Sequence, residues 1–208
     1  MRLSVLAALI LSAAPALAQD TPTSFPAQDF TLDPAHASVV FSVNHLGLSH
    51  YTGEFDTLEG TLRLDPAAPQ TADVSFTINV ASLDLNTPPL GFREELLGPN
   101  FFDADVFPQI TFVSTQVART GDTTADVTGD LTMHGVTQPV TLQATFNGNT
   151  TAGMFEPWVR IGFSAVGEVS RTAFGMGMGV PEAGSTIGVG DTVTVRIETE
   201  WTGADITK

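Results

Sequence analysis

The chain of 208 residues carries 23 acidic residues against 8 basic ones, a formal charge of −15 at pH 7, and it contains no cysteine. Nucleic-acid binding depends on Lys and Arg side chains that neutralise phosphates, and the single lysine here is the last residue, Lys208, so the composition excludes a nucleic-acid-binding protein. Without cysteine, the chain can form neither a disulfide nor a lipid-modified amino-terminal cysteine.

Residues 1–18 have the pattern of a secretory signal peptide. Arg2 precedes an apolar run over residues 3–11, and the stretch from Pro15 to Ala18 supplies a small-x-small cleavage site. The apolar run is shorter than the roughly 20 residues of a membrane-spanning helix. We therefore expect the mature chain to be residues 19–208, a single domain of formal charge −16 that is located in the periplasm or secreted.

Period-two alternation of apolar and polar residues runs through most of the mature chain. Val74, Phe76, Ile78 and Val80, for example, alternate with polar side chains, which is typical of a strand with one apolar face. The eight predicted strands lie, in chain order, around residues 39–43, 51–65, 74–80, 109–118, 127–133, 140–146, 161–165 and 193–197.

Most of the predicted strands are separated by short turn signals. These are Leu46-Gly47, Gly121-Asp122, Gly135-Val136 and Asn147-Gly148. Eight consecutive strands joined mostly by hairpins predict an all-β antiparallel domain, either a sandwich or a barrel, and closure into a barrel leaves no unpaired edge. Within the segment 51–65 the apolar phase changes, which predicts a bulge there.

Two connections are longer than a hairpin. Between Ser82 and Pro108, prolines at 88 and 89 and Gly98 bound an apolar segment, which predicts a short helix near residues 88–98. The segment from Ser170 to Gly190 is rich in glycine and lacks periodicity. We interpret it as a flap that gates the barrel through an apolar face formed by Phe174, Met176 and Met178, or alternatively as a fixed plug that packs permanently on the barrel end.

Four segments give the chain a resemblance to a known family. They read FSVNHLGLSHYTGEF, FFDADVFPQITF, GDLTMHGVTQPVTL and SRTAFGM, and they resemble the YceI-like proteins, which are periplasmic, polyisoprenoid-binding and lipocalin-like. The resemblance implies an eight-stranded antiparallel lipocalin-like barrel with a helix beside it. It also implies a carrier or sequestering protein, in lipid transport, storage or stress protection, whose interior holds an isoprenoid quinone-like or fatty chain.

The apolar faces of the strands supply the predicted ligand-binding residues. Small side chains at Ala144, Ala165 and Gly129 would leave a channel between the rings, although the phenylalanines could instead fill a solid core. The predicted wall residues are Phe41, Val43, Phe76, Ile78, Phe112, Leu131, Met133, Leu142, Phe146 and Phe163.

Two polar residues continue the inward phase at strand ends. His45 could donate a hydrogen bond to a carbonyl or amide head group, or it could bond a loop carbonyl at the barrel rim. Arg171 could contact an anionic or carbonyl head group, or it could pair with Asp103 or Asp105 and fix the loop. Both residues are therefore candidate ligand contacts with a structural alternative.

The sequence indicates neither a metal site nor a catalytic constellation. The histidines, His36, His45, His50 and His134, lack the i, i+2 or i, i+4 spacing that would place two rings on one side, and His134 precedes a glycine where it would shape a hairpin. No serine lies in a G-x-S-x-G elbow. We expect no cofactor other than a bound lipid. Two alternatives stay open, a lipid-modifying enzyme with His45 as general base and a filled barrel that acts as an interaction partner, and the chain is either a monomer or a homodimer.

Overall fold

Ten antiparallel strands and one short helix make up the part of the chain described by the computed structural model, residues 25–153 and 156–205. The predicted signal peptide lies outside these residues. The helix α1 is Phe92–Leu97. The strands are β1 (Gln28–His45), β2 (Ser49–Phe55), β3 (Leu58–Leu64), β4 (Asp73–Asn79), β5 (Leu83–Leu85), β6 (Gln109–Arg119), β7 (Thr124–Met133), β8 (Val136–Asn149), β9 (Arg160–Ser170) and β10 (Val189–Thr202).

Eight of these strands close into a barrel. The order β1-β3-β4-β6-β7-β8-β9-β10 returns to its start because β10 also pairs with β1, and every pairing is antiparallel. The two remaining strands, β2 and β5, extend the sheet beside the second half of β1. The predicted eight-stranded antiparallel barrel is confirmed, and the sandwich alternative is wrong.

Alternation along the strands produces the barrel wall. In β8 every second residue from Val136 to Phe146 is half-buried and the residues between them are exposed. A solid core would bury the inward residues fully. Half-burial on the inward face indicates side chains that line a space inside the barrel.

The predicted bulge in the segment 51–65 is an interruption of the strand. The chain leaves the sheet at Asp56 and Thr57, and buried residues switch from odd positions such as Phe55 to even positions such as Leu58 and Leu62. The predicted turn at residues 147–148 is wrong. This Asn-Gly pair lies inside β8, where a register shift against β9 absorbs it as a bulge.

We name the two ends of the barrel after the arginines at the two ends of β9, Arg160 and Arg171. The Arg160 end carries the connections 65–72, 120–123 and 150–159, of which residues 154 and 155 are not described. The Arg171 end carries the connections 46–48, 80–108, 134–135 and 171–188. The predicted flap and the predicted helix therefore lie at the same end.

Helix α1 is shorter than predicted and packs over the Arg171 end. Its first residue, Phe92, contacts the Tyr51 ring edge-on with centroids 5.9 Å apart. Arg93 fixes the helix by donating from Nε to the carbonyl oxygen of Leu83 at 2.8 Å. In the described residues no helix is long and apolar enough to cross a membrane.

His134 and Gly135 form the hairpin between β7 and β8, as predicted. Both have positive φ, 51° and 73°, as a two-residue hairpin of the favoured twist requires. The His134 ring also reaches the predicted flap, because its Nδ1 lies 2.9 Å from the carbonyl oxygen of Phe174. The hairpin thereby ties the beginning of this loop to the barrel.

Candidate ligand-binding cavity

A cavity of about 910 Å³ occupies the inside of the barrel. All eight closing strands contribute apolar side chains to its wall, and β2 adds Tyr51 and Phe55. The volume lies near the top of the range of roughly 300–1,000 Å³ that small-molecule sites span. The phenylalanines therefore line the interior without filling it, and the solid-core alternative is wrong.

Small residues keep the space open. Ala144 lies opposite Ala125 on one side and Ala165 on the other, and all three line the cavity. This alanine row crosses β7, β8 and β9 with a single methyl group at each position. The inner wall is consequently thin along these three strands.

Glycines accommodate the largest rings. A Cβ atom on Gly129 would clash with the Phe112 ring, and one on Gly53 would lie 2.5 Å from Cζ of Phe41. Each ring therefore leans over the glycine of a neighbouring strand. Gly129 faces inward as predicted, but the Phe112 ring covers it and the glycine itself is not part of the cavity wall.

Most of the predicted binding residues line this cavity. They are Phe41, Val43, His45, Phe76, Ile78, Phe112, Leu131, Met133, Leu142, Phe146, Phe163, Arg171, Met176 and Met178. Phe174 is the exception, because its ring is 1% exposed and packs into the core at the Arg171 end without lining the cavity. Phe174 is an anchor of the loop and not a wall residue.

The predicted flap divides into two parts. Residues 171–176 are held down by buried Arg171, Phe174 and Met176, whereas residues 177–187 are mostly exposed. Met178 is 48% exposed and also lines the cavity. Residues 177–187 are therefore the part of the predicted flap that is not held down by buried side chains.

Some wall residues carried no clear signal in the sequence. Tyr51 lies in β2, the short strand that ends at the interruption before β3. Phe92, Leu96 and Phe102 belong to the connection around α1, where no strand periodicity identifies an inward face. Trp201 could have been found, because it continues the alternation of β10 beyond Ile197.

The cavity reaches the surface at both ends of the barrel. At the Arg160 end, the exposed residues Arg119, Asp122 and Thr123 line it, so this mouth is polar. At the Arg171 end the exposed lining residues are His45, Pro89, Glu95, Met178 and Gly179. A long ligand can therefore lie lengthwise, with each end near a mouth.

Arg171 is the one buried charged side chain among the described residues. Its guanidinium donates from Nε to the carbonyl oxygen of Gly190 at 3.1 Å and from Nη2 to those of Met178 and Val189 at 3.3 and 3.1 Å. Burial lowers the pKa of Arg171. Nη1 has no hydrogen-bond partner in the described residues, and the side chain lines the cavity.

The ion pair that was predicted as an alternative for Arg171 does not form. Neither Asp103 nor Asp105 pairs with it. Asp191 is the carboxylate that acts electrostatically on the pKa of Arg171, and it accepts hydrogen bonds from Ser170 Oγ at 2.7 Å and from the Thr172 main-chain N–H at 2.8 Å. Although burial acts to raise the pKa of Asp191, these hydrogen bonds lower it overall. The loop is fixed by main-chain carbonyls instead.

Two further polar groups lie on the cavity wall toward the Arg171 end. The Tyr51 hydroxyl is buried and has no hydrogen-bond partner, which costs about 1–3 kcal/mol for a group of this kind. Across the sheet, Tyr51 in β2 pairs with Val43 in β1, Val43 with Val193 in β10, and Val193 with Val169 in β9. Val169 is two positions before Arg171. The exposed His45 stands at the adjoining mouth.

The polar groups do not form a recognisable catalytic arrangement within the described residues. His45 makes no hydrogen bond with a hydroxyl nucleophile or with an orienting carboxylate, which a nucleophile and base pair would require. Tyr51, Arg171 and His45 are hydrogen-bond donors on the same apolar wall, toward the Arg171 end. Such an arrangement can orient one polar head group.

Asp33, His36 and Glu200 place three candidate metal-ligand atoms within 4.8 Å of one another, outside the cavity. Arg160 already binds two of these carboxylates, Asp33 and, at 3.0 Å, Glu200. His36 Nδ1 is 2.9 Å from Asp33 Oδ2. A guanidinium thus supplies the positive charge of this cluster.

Comparison with known proteins identifies relatives over nearly the whole barrel. Residues 30–201 match the YceI-like domain family. A UPF0312 protein of Pseudomonas putida (strain F1) is 41% identical over 143 residues, which cover 68% of this chain and 71% of that protein.

Solved structures share the fold. BcnA of Burkholderia cenocepacia superimposes with a TM-score of 0.68 at 28% identity and covers 81% of this chain and 98% of its own. A polyisoprenoid binding domain from Saccharophagus degradans, implicated in plant cell wall breakdown, superimposes with a TM-score of 0.62 and covers 84% of this chain and 98% of its own. It is 16% identical, so this second likeness concerns the fold alone.

Proposed function

This chain belongs to the YceI-like family, and from that premise we propose that it is an exported carrier that sequesters a long apolar lipid of the isoprenoid quinone-like or fatty-chain class. The observation that carries the proposal is the apolar cavity of about 910 Å³ that runs through a closed barrel and reaches the surface at both ends. The relative from Saccharophagus degradans, described as polyisoprenoid-binding, agrees with this ligand class.

The apolar wall favours a long chain over a small metabolite. Each buried methylene contributes ~0.8 kcal/mol, whereas association costs an estimated ~4 to 15 kcal/mol. A short apolar molecule therefore gains little. A chain of roughly twenty carbons gains on the order of 16 kcal/mol before these costs, which suffices for binding with few polar contacts.

The polar residues at the Arg171 end support a ligand with one hydrogen-bonding head. The free Nη1 of Arg171 and the unpaired Tyr51 hydroxyl can both donate to a carbonyl or anionic oxygen. His45 can add a contact at the mouth. We therefore place the head group near Arg171 and let the tail run lengthwise past the alanine row toward the Arg160 end.

We propose a periplasmic or secreted location and a role in transport, storage or stress protection. The signal-peptide pattern over residues 1–18 and the strongly acidic composition support export of a soluble carrier. A lipid-modifying enzyme is less well supported, because His45 lacks a catalytic partner in the described residues. No cofactor is needed for binding.

Extraction tests the proposal directly. Mature protein purified from its natural host is extracted with organic solvent, and the extract is analysed by mass spectrometry. We expect close to one long-chain lipid per protein, chemically unchanged after hours of incubation. Turnover of the bound lipid would favour the enzyme alternative instead.

A pair of adjacent substitutions on β8 controls for non-specific lipid. Ala144→Phe places a ring in the middle of the alanine row, and Gln143→Phe places the same ring on the exposed outer face. We expect Ala144→Phe to lose the lipid while Gln143→Phe retains it. Equal lipid content in the two folded variants would contradict binding inside the barrel.

A further inference from the structure

The exposed large apolar side chains are concentrated at one end of the barrel. Seven such residues occur among those described, and six of them lie in connections at the Arg171 end, whereas Val113 lies on the outer face of β6. Isolated apolar residues on a surface are ordinary, but a gathering of them marks an interaction site. The six are Leu46, Leu48, Leu90, Val106, Met178 and Ile187, with exposures of 39, 82, 106, 63, 48 and 84%.

Five of these residues, Leu46, Leu48, Leu90, Met178 and Ile187, surround the mouth at this end, and we call them the apolar tip. The turn that carries the first two joins the loop that carries the last two, because the Leu46 main-chain N–H donates to the carbonyl oxygen of Gly188 at 2.9 Å. Leu90 follows Pro89, which lines the same mouth as Met178. The apolar tip is therefore continuous with the cavity wall.

Charge is almost absent from the segments that form the tip. Residues 46–49, 87–92 and 172–190 contain a single acidic or basic residue, Glu182, although 15% of the whole chain is charged and its net charge is −15. The exposed Glu95 also lines this mouth, but the loops that carry the tip are otherwise poor in charge while the body is strongly acidic. A tip that is poor in charge on an acidic body favours contact with a surface that has no net charge and an apolar interior.

We propose that the apolar tip inserts into the interface of a zwitterionic lipid bilayer and that lipid passes through the mouth at the Arg171 end without crossing water. This inference rests on the proposed carrier function and names the surface that such a carrier contacts. Leucine, isoleucine and methionine side chains gain by entering the boundary between head groups and acyl chains. The acidic body disfavours anionic bilayers, because like charges repel.

A second copy of the chain is a weaker occupant of this surface. Pairing two tips would bring two acidic bodies together, and the five side chains stand on three separate loops around an opening instead of forming a flat face. A bilayer adapts to such protrusions, and it also contains the cargo class. The charge and the position of the tip therefore favour the bilayer.

Flotation with vesicles tests the proposal on protein stripped of lipid. We expect wild type to float with phosphatidylcholine vesicles, to lose little binding in high salt and to bind less when phosphatidylglycerol is added. The triple variant Leu48→Ser, Leu90→Ser and Ile187→Ser should bind at least tenfold more weakly. Val113→Ser removes an exposed apolar side chain away from the tip; it is the control and should bind like wild type.

The cysteine-free sequence permits a second measurement with one environment-sensitive fluorophore per molecule. A label at Leu48→Cys should shift to the blue when vesicles are added, whereas a label at Val113→Cys should not. Equal shifts at the two positions, or equal flotation of the triple variant and wild type, would overturn the proposal. So would a triple variant that changes from dimer to monomer in sedimentation while its vesicle binding is unaltered.

Loading from detergent-dispersed ubiquinone separates this inference from the proposed function. The triple variant should take up the quinone as wild type does, because the cavity wall is unchanged. Wild type that loads the quinone but does not float overturns docking alone. Wild type that neither loads nor floats overturns both.

Discussion

Strand β9 has an arginine at each end, and the two guanidinium groups lie in opposite surroundings. Arg160 is bound by three carboxylates, Asp33, Glu156 at 2.8 Å and Glu200 at 3.0 Å, and the hydrogen bonds of Glu156 and then Asp33 raise its pKa. Arg171 is bound by main-chain carbonyls alone, and burial lowers its pKa. The positive charge at one end of the strand is held in ion pairs, and the charge at the other end forms none.

The difference separates a structural end from a binding end. Arg160 binds Asp33 from the bulge of β1, Glu156 from the β8–β9 connection and Glu200 from β10, and so it links these three parts of the chain. Around Arg171, a charge is retained beside an apolar cavity although it gains no ion pair there. Natural sequences keep such unfavourable local choices chiefly at functional sites.

Removing the charge at the structural end should have the largest effect on folding. Arg160→Met leaves three carboxylates without their shared partner. Because these pairs are only partly buried, the expected cost lies between the roughly 1 kcal/mol of an exposed pair and the roughly 3 kcal/mol of a buried one. We expect that loss in the free energy of unfolding measured with urea. Arg63→Met breaks the exposed pair with Asp29, 3.0 Å long, and should cost at most about 1 kcal/mol. Similar losses in the two variants would contradict the claim that the Arg160 ion pairs stabilise the fold.

The same cluster predicts how stability depends on pH. Hydrogen bonding to Arg160 lowers the pKa of Asp33 from 3.8 to about 2. A carboxyl group with a lowered pKa stabilises the fold above its unfolded pKa, and this contribution is lost as the pH falls from about 4 to about 2. Because solvent screens part of this interaction, the shift of Asp33 corresponds to at most about 2 kcal/mol. Urea unfolding between pH 7 and pH 2 should show a shallower loss in Asp33→Asn than in wild type, and parallel curves would argue against the pair.

The binding end should respond in affinity more than in stability. Arg171→Met strands no carboxylate, so we expect a smaller loss of unfolding free energy than in Arg160→Met. It removes the head-group contact, and we expect affinity for a quinone to fall about tenfold, which equals about 1.4 kcal/mol. Titration with a hydrocarbon of the same length should show no such change. A uniform loss for both ligands would mean that Arg171 shapes the loop and does not contact the head group.

The barrel wall could be predicted from the sequence, whereas the polar mouth at the Arg160 end could not. Alternation in β8 and β10 predicts the inward wall, because strand periodicity is local and a one-residue slip would expose the whole apolar face. The charged mouth escaped prediction. A register shift between Ser114 and Gln116 moves the inward phase of β6 from Phe112 to Val117 and Arg119, and no local pattern signals it.

Irregular segments account for the other errors. Phe174 has no periodic neighbours, so its apolar side chain could be assigned equally to the cavity or to the core. The Arg160 cluster unites residues 127 positions apart in the sequence, Asp33 and Arg160, and such a contact depends on barrel closure. The Asn147-Gly148 pair suits a hairpin turn and a bulge equally well, and pairing with β9 decides between them.

The mass of the intact folded protein tests the central claim most directly. In mass spectrometry under non-denaturing conditions, wild type loaded in its host should be heavier than the denatured chain by one long-chain lipid. Ala144→Phe should show no added mass, and Gln143→Phe should keep it. Identical folded and denatured masses for wild type, before and after incubation with ubiquinone and with a fatty amide, would contradict the account of the barrel as a lipid carrier.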